Sequence, residues 1–181
     1  MGLLYVLDGD TGYVRRHFPM QFGPIECQIA IADLLGDGEL EIIVTDMNGN
    51  VVIVSASGEV LWDIQLPSMS SKEGVVSSIP YTPAVADIDS DGQLDIVVVT
   101  METSRLSHTG AQDTSTRRHA GDSSNSSSSG STPRSKPRQR GGVVWALNGA
   151  TGKVLTGYPI ALPKGAVVSA GIIPLDLHDY R

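Results

Sequence analysis

An acidic nine-residue segment occurs twice in this chain, each time between runs of strand character. The copies are Asp33-Leu34-Leu35-Gly36-Asp37-Gly38-Glu39-Leu40-Glu41 and Asp87-Ile88-Asp89-Ser90-Asp91-Gly92-Gln93-Leu94-Asp95. In the second copy, carboxylates stand at positions 1, 3, 5 and 9, with glycine at position 6. Carboxylates in alternation along a tight turn point their oxygens inward, and a hard cation such as Ca²⁺ takes six to eight oxygens. Gly92 lets the backbone bend where a Cβ would clash. The carbonyl of Gln93 is then free to turn towards the metal. The predicted ligands are therefore Asp87, Asp89, Asp91 and Asp95 through side chains and Gln93 through its backbone. The plainer reading is an acidic hairpin turn without metal, because Asp and Gly are common turn residues.

An EF-hand begins in the same way but closes with a bidentate Glu at position 12 and lies between helices. Here position 12 is Val98, and the acid arrives early, at Asp95. The flanks Tyr81–Ala86 and Ile96–Thr100 are strand-length runs rich in β-branched residues. The prediction is a short calcium loop between two strands.

A second element recurs three times, as a strand ending in a Gly turn with a short strand after it. Its copies are Leu4–Gly12, Val51–Gly58 and Val144–Gly152. Combined, the unit reads strand, acidic loop, strand, turn, strand, Gly turn, strand. In the first full unit the middle turn is Asp46-Met47-Asn48-Gly49-Asn50, and Asn-Gly predicts a type I′ hairpin. A turn role for Asp46 outweighs a metal role there. Four antiparallel strands in a unit of about 50 residues is the pattern of a β-propeller blade. The expected fold is all-β, a partial propeller of about three blade equivalents. Trp62 and Trp145 are expected to pack between blades.

Composition enters where the repeat breaks. Residues 103–140 hold seven Lys/Arg against Asp113 and Asp122, although the whole chain carries a net charge of −7. This stretch includes Ser123–Ser131 and a Pro/Arg/Lys run, and it has almost no apolar residues to offset the entropy of ordering. It is expected to be a disordered insert, dividing the chain into propeller blades at 1–102, the insert at 103–140 and a continuing blade at 141–181. Residues 165–181 would begin a further blade. The acidic body argues against nucleic-acid binding. A single cysteine, Cys27, excludes an internal disulfide. No apolar run approaches the roughly 20 residues of a transmembrane helix, and the first residues run straight into a turn, unlike a signal peptide.

The motifs Tyr5–Gly9, Ile31–Asp33, Leu40–Asp46 and Ala86–Gly92 resemble the FG-GAP (integrin α N-terminal-like) repeat family, whose Asp-rich hairpin loops bind calcium. They look most like a plant branch of that family, membrane-anchored and concerned with pollen-wall patterning. The resemblance implies that Asp33, Asp37 and Glu41 stand at positions 1, 5 and 9 of a weaker calcium loop, with Glu39 at the carbonyl position. Leu35 occupies a ligand position in that loop. It also implies a secretory-pathway, membrane-associated or extracellular setting, with any membrane attachment through a segment absent here. The implied partner is a protein or polysaccharide of unknown identity. The literal Phe-Gly…Gly-Ala-Pro signature is absent.

Two other readings stand beside a non-catalytic calcium-binding adhesion module. Val144–Lys153 also looks like a blade of the quinoprotein propellers, enzymes that often carry a vicinal disulfide, which one cysteine cannot form. No Gly-x-Ser-x-Gly elbow and no ligand-spaced histidine cluster occurs, so catalysis is not expected. A metal-free structural propeller is the other, and it predicts a stability indifferent to calcium.

Overall fold

The structure is a computed structural model that describes residues 1–70, 75–104 and 142–163. The described residues all belong to one compact unit, and residues 106–138 are a separate unit. The second unit lies outside the described residues, as do nearly all of the expected insert and the expected blade from 165 onward. Among the described residues every regular element is a strand, and no helix is long and apolar enough to cross a membrane.

The first full unit forms a four-stranded antiparallel sheet from β3 (Ala30–Ala32), β4 (Glu41–Thr45), β5 (Asn50–Val54) and β6 (Val60–Gln65), ordered as in the chain. The order follows from short connections, since a tight turn can join only antiparallel neighbours. Before it, β1 (Gly2–Leu4) pairs with β2 (Met20–Phe22). After it comes a five-stranded sheet. Its central β9 (Asp95–Ser104) pairs along one edge with β10 (Gly142–Asn148). On the other edge β8 (Ala84–Ala86) takes Asp95–Val97, and β7 (Val75–Ser78) takes Met101–Ser104. Finally, β11 (Ile160–Ala161) pairs with Val143 and Val144 of β10.

The alternation of side chains explains how the sheets stack. Ile43, Val51 and Ile53 face one way and share a core with Ile96, Val98, Trp145 and Leu147 of the five-stranded sheet. Ile42, Val44 and Val54 face the other way, against Leu4, Met20 and Phe22 of the two-stranded sheet. Successive residues of a strand point to opposite faces, so a sheet covered on both sides buries every position. All five residues of β4 are accordingly buried. This is the physical cause of its uninterrupted Glu-Ile-Ile-Val-Thr run, which alternates in neither polarity nor size.

Several sequence expectations change in detail. The segments after the first and third Gly turns reduce to single bridges, Leu7 with Val14 and Leu147 with Val154. The chain returns to the sheet only farther on, as β2 and β11. The 46–50 turn is not type I′, which needs positive φ at both central residues. Among the described residues His17 and Ser90 are the non-glycine positions with positive φ, so Asn48 does not qualify, whereas Gly49 has φ 81°. The Asp46 N–H donates to Asn50 O (3.1 Å) and the Gly49 N–H to Asp46 O (3.1 Å), a three-residue loop closed by a left-handed glycine. The second full unit also gains a strand, β7, because β9 extends to Ser104 and leaves an edge for it.

Candidate metal centre

The two acidic segments fold alike, hydrogen bond for hydrogen bond. In the 87–95 loop, Asp87 accepts from the N–H of Asp91 (Oδ1, 3.1 Å) and of Gly92 (Oδ2, 2.9 Å). In the 33–41 loop, Asp33 accepts from Asp37 N–H (3.1 Å) and Gly38 N–H (2.9 Å) in the same way. The position-5 carboxylates then take the position-7 N–H groups: Asp91 from Gln93 (2.8 Å) and Asp37 from Glu39 (2.9 Å). The position-9 acids reach back to position 2: Asp95 Oδ2 to Ile88 N–H (2.9 Å) and Glu41 Oε2 to Leu34 N–H (2.7 Å). Each loop is thus wound round its own carboxylates before any ion is considered. The glycines at position 6 match as well, with φ 86° at Gly92 and 89° at Gly38, where a Cβ would strain the backbone.

The loops differ in what their carboxylates surround. Asp87, Asp89 and Asp95 each place an oxygen within 4.8 Å of the others, the one such group of acids, histidines or cysteines among the described residues. Asp91 lies outside that group, with one oxygen on the Gln93 N–H. In the 33–41 loop Leu35, 46% exposed, stands where Asp89 stands, and Asp33, Asp37 and Glu41 do not gather in this way.

Asp95 is the decisive residue. Its relative exposure is 0%, and Oδ1 is the one buried side-chain nitrogen or oxygen among the described residues without a hydrogen-bond partner. A buried carboxylate oxygen left bare costs on the order of 1–3 kcal/mol or more. Burial holds the Asp95 carboxyl above the usual carboxylate range, the Ile88 N–H opposes this, and the charges of Asp89, Asp91 and Asp87 add to the rise. The donor set is all oxygen, which suits a hard divalent ion rather than zinc or copper. A cation there would give Asp95 Oδ1 a partner and relieve the repulsion among three aspartates.

Residues 33–98 match the family model of the FG-GAP-like repeat. The match spans both acidic loops, strands β4 to β8 and the start of β9, with most of the buried apolar residues. No curated protein matches the chain.

Sequence reasoning passed over several residues that shape these loops. Ser90 adopts φ 62°, a left-handed conformation rare outside glycine. The available signal was Gly36, which holds the same place in the other copy at φ 70°. Asp46 is buried and lies outside the group formed by Asp87, Asp89 and Asp95. Its carboxylate accepts from the N–H of Asn48 (2.9 Å), Asn50 (3.0 Å) and Gly23 (3.0 Å) and from Asn50 Nδ2 (2.8 Å). Four donors account for a turn role in full. Trp62 and Trp145 also separate in function. Trp145 is buried in the shared core with Nε1 on Thr100 Oγ1 (3.1 Å), while Trp62 Nε1 crosses to Gly149 O of the next sheet (2.9 Å).

Proposed function

We propose that this chain is a non-catalytic calcium-binding module whose sheets are blades of a propeller, serving adhesion or extracellular-matrix and cell-wall patterning. Asp87, Asp89 and Asp95 would hold the ion, with Asp91 and the Gln93 carbonyl completing the shell. The single observation that supports this best is the bare, buried Oδ1 of Asp95 beside two exposed aspartates. The FG-GAP-like match over 33–98 supports the same reading, as do the stacked antiparallel sheets. When bound, calcium supplies charge neutralisation and fixes the turn between β8 and β9. The protein's own residues supply the preformed backbone, since the Asp87 and Asp91 carboxylates already pin the N–H groups of residues 91–93. The 33–41 loop, with Leu35 in a ligand position, would bind more weakly through Asp33, Asp37, Glu41 and the Glu39 carbonyl.

An extracellular setting would suit this chemistry. Extracellular calcium modules bind at about 10⁻⁴–10⁻³ M, matched to millimolar calcium outside cells. A secretory or membrane-associated location, with a protein or polysaccharide partner, fits such a module, and pollen-wall patterning is the specific case that the sequence resemblance suggests.

A thermal melt with calcium titration, on wild type beside Asp89→Ala, tests the proposal. At calcium tenfold above the dissociation constant, wild type gains about 1.4 kcal/mol by mass action, and the variant loses most of that gain. A cooperative melt indifferent to calcium in both proteins sinks the proposal and leaves a metal-free structural scaffold.

A further inference from the structure

Gly149 touches both the acidic loop and the neighbouring sheet. Its N–H donates to Leu94 O (3.0 Å), one residue before Asp95. Its own carbonyl accepts from Trp62 Nε1 of β6 (2.9 Å). A Cβ at Gly149 would run into Leu94 O and lie 2.9 Å from Leu34 Cδ2 in the other acidic loop, so only glycine fits this gap. Three residues on, a Cβ at Gly152 would lie 2.8 Å from Trp62 Cε3. The 148–152 turn is therefore clamped, with Leu94 on one side and the Trp62 ring spanning it from Gly149 to Gly152 on the other.

We infer that ion binding at the 87–95 loop is coupled to the joint between the four- and five-stranded sheets, with Gly149 as the link and Trp62 as the far element. The inference rests on the calcium reading above. Leu94 is bonded directly to Asp95, so whatever fixes Asp95 also fixes the carbonyl that Gly149 meets. When Asp87, Asp89 and Asp95 repel one another, the loop that carries Leu94 is loosened, and the Gly149 hydrogen bond loosens with it. A divalent cation favours the arrangement in which Leu94, Gly149 and Trp62 are all engaged. Coupling between sites is reciprocal, so a weakened Trp62 contact must weaken the ion. Among the described residues no equivalent hydrogen bond ties the 33–41 loop to its following turn, where those of Ser55 and Gly58 stay within the hairpin.

The test is calorimetric Ca²⁺ titration of the whole chain, well below its melting temperature, for wild type, Trp62→Phe and Gly149→Ala. Tryptophan emission is recorded alongside. Trp62→Phe keeps an aromatic ring at a half-buried position and removes the Nε1–H donor with the five-membered half of the indole, so it should fold. The expected result is calcium affinity lowered about fivefold or more in Trp62→Phe. Wild type should also show a calcium-dependent emission change that is absent from the variant. Gly149→Ala, which collides with Leu94, should weaken calcium at least as much. A role in folding alone would lower the melting temperature and leave affinity and emission unchanged. Unchanged affinity in both variants with a silent indole overturns the coupling while the calcium site stands. Failure of wild type to bind calcium at all removes both.

Discussion

At Asp95 two requirements meet, because the residue opens β9 and also closes the acidic loop. Its folded carboxyl ionises at higher pH than in the unfolded chain, chiefly through burial. With the folded value raised, the unfolded chain gives up the proton more readily, so an ionised Asp95 costs stability at neutral pH. That cost disappears as pH falls through the raised value towards the ordinary 3.8. In calcium-free buffer, lowering the pH from 7 towards the acid range should therefore reduce the stability gap between wild type and Asp95→Asn, with the variant the more stable at pH 7. With saturating calcium the order reverses, since protonation competes with the ion and Asp95→Asn binds poorly. Chemical denaturation at several pH values, with and without calcium, checks both halves. Asp46 makes the opposite case, a buried carboxylate with every oxygen engaged. Asp46→Ala abandons four donors and should cost about 2–4 kcal/mol, read by urea denaturation, with no effect on calcium affinity.

Between elements, the two loops form an internal experiment in which the backbone hydrogen bonds are shared and the ligand positions differ at 3, Leu35 for Asp89, and at 9, Glu41 for Asp95. Leu35→Asp places a carboxylate where Asp89 stands in the other loop. The expected outcome is a second calcium equivalent, counted by calorimetry, with the first site unchanged. If only one ion binds to Leu35→Asp, the shared hydrogen bonds do not suffice to make a site, and Glu41 in place of Asp95 becomes the cause. The same comparison bears on Ser90. Gly36 occupies its position without strain, so Ser90→Gly should hold or raise stability by up to about 1 kcal/mol. Gly92→Ala should lower it by a similar amount or more.

Across the whole molecule, stacking decides which parts are most firmly held. The core shared by β4, β5, β9 and β10 contains the fully buried Ile43, Val51, Ile53, Ile96, Val98 and Leu147. Amides of these strands should exchange slowest in native-state hydrogen exchange, and those of the exposed 8–13 turn fastest. Comparable protection in the 8–13 turn would mean that another surface covers Tyr13, which is 78% exposed among the described residues.

Much of this was legible in the order of residues. The acidic loop is a local code, because Asp at positions 1 and 5 bonds backbone groups only two to five residues away, so spacing alone specifies the turn. The four-strand unit is likewise local, since short turns dictate antiparallel neighbours. The apolar runs of β4 and β5 match the burial of these strands between two neighbouring sheets. What the sequence by itself could not determine are the relations between distant residues. Nothing near Asp95 announces that Oδ1 is bare, because burial depends on the sheet closing over it. The Asn48-Gly49 pair by itself does not exclude type I′. The turn was decided by Asp46, whose carboxylate is also held from Gly23, more than twenty residues earlier. The meeting of Leu94, Gly149 and Trp62 belongs to tertiary structure alone, for it joins two sheets through a glycine whose missing side chain is the only space available.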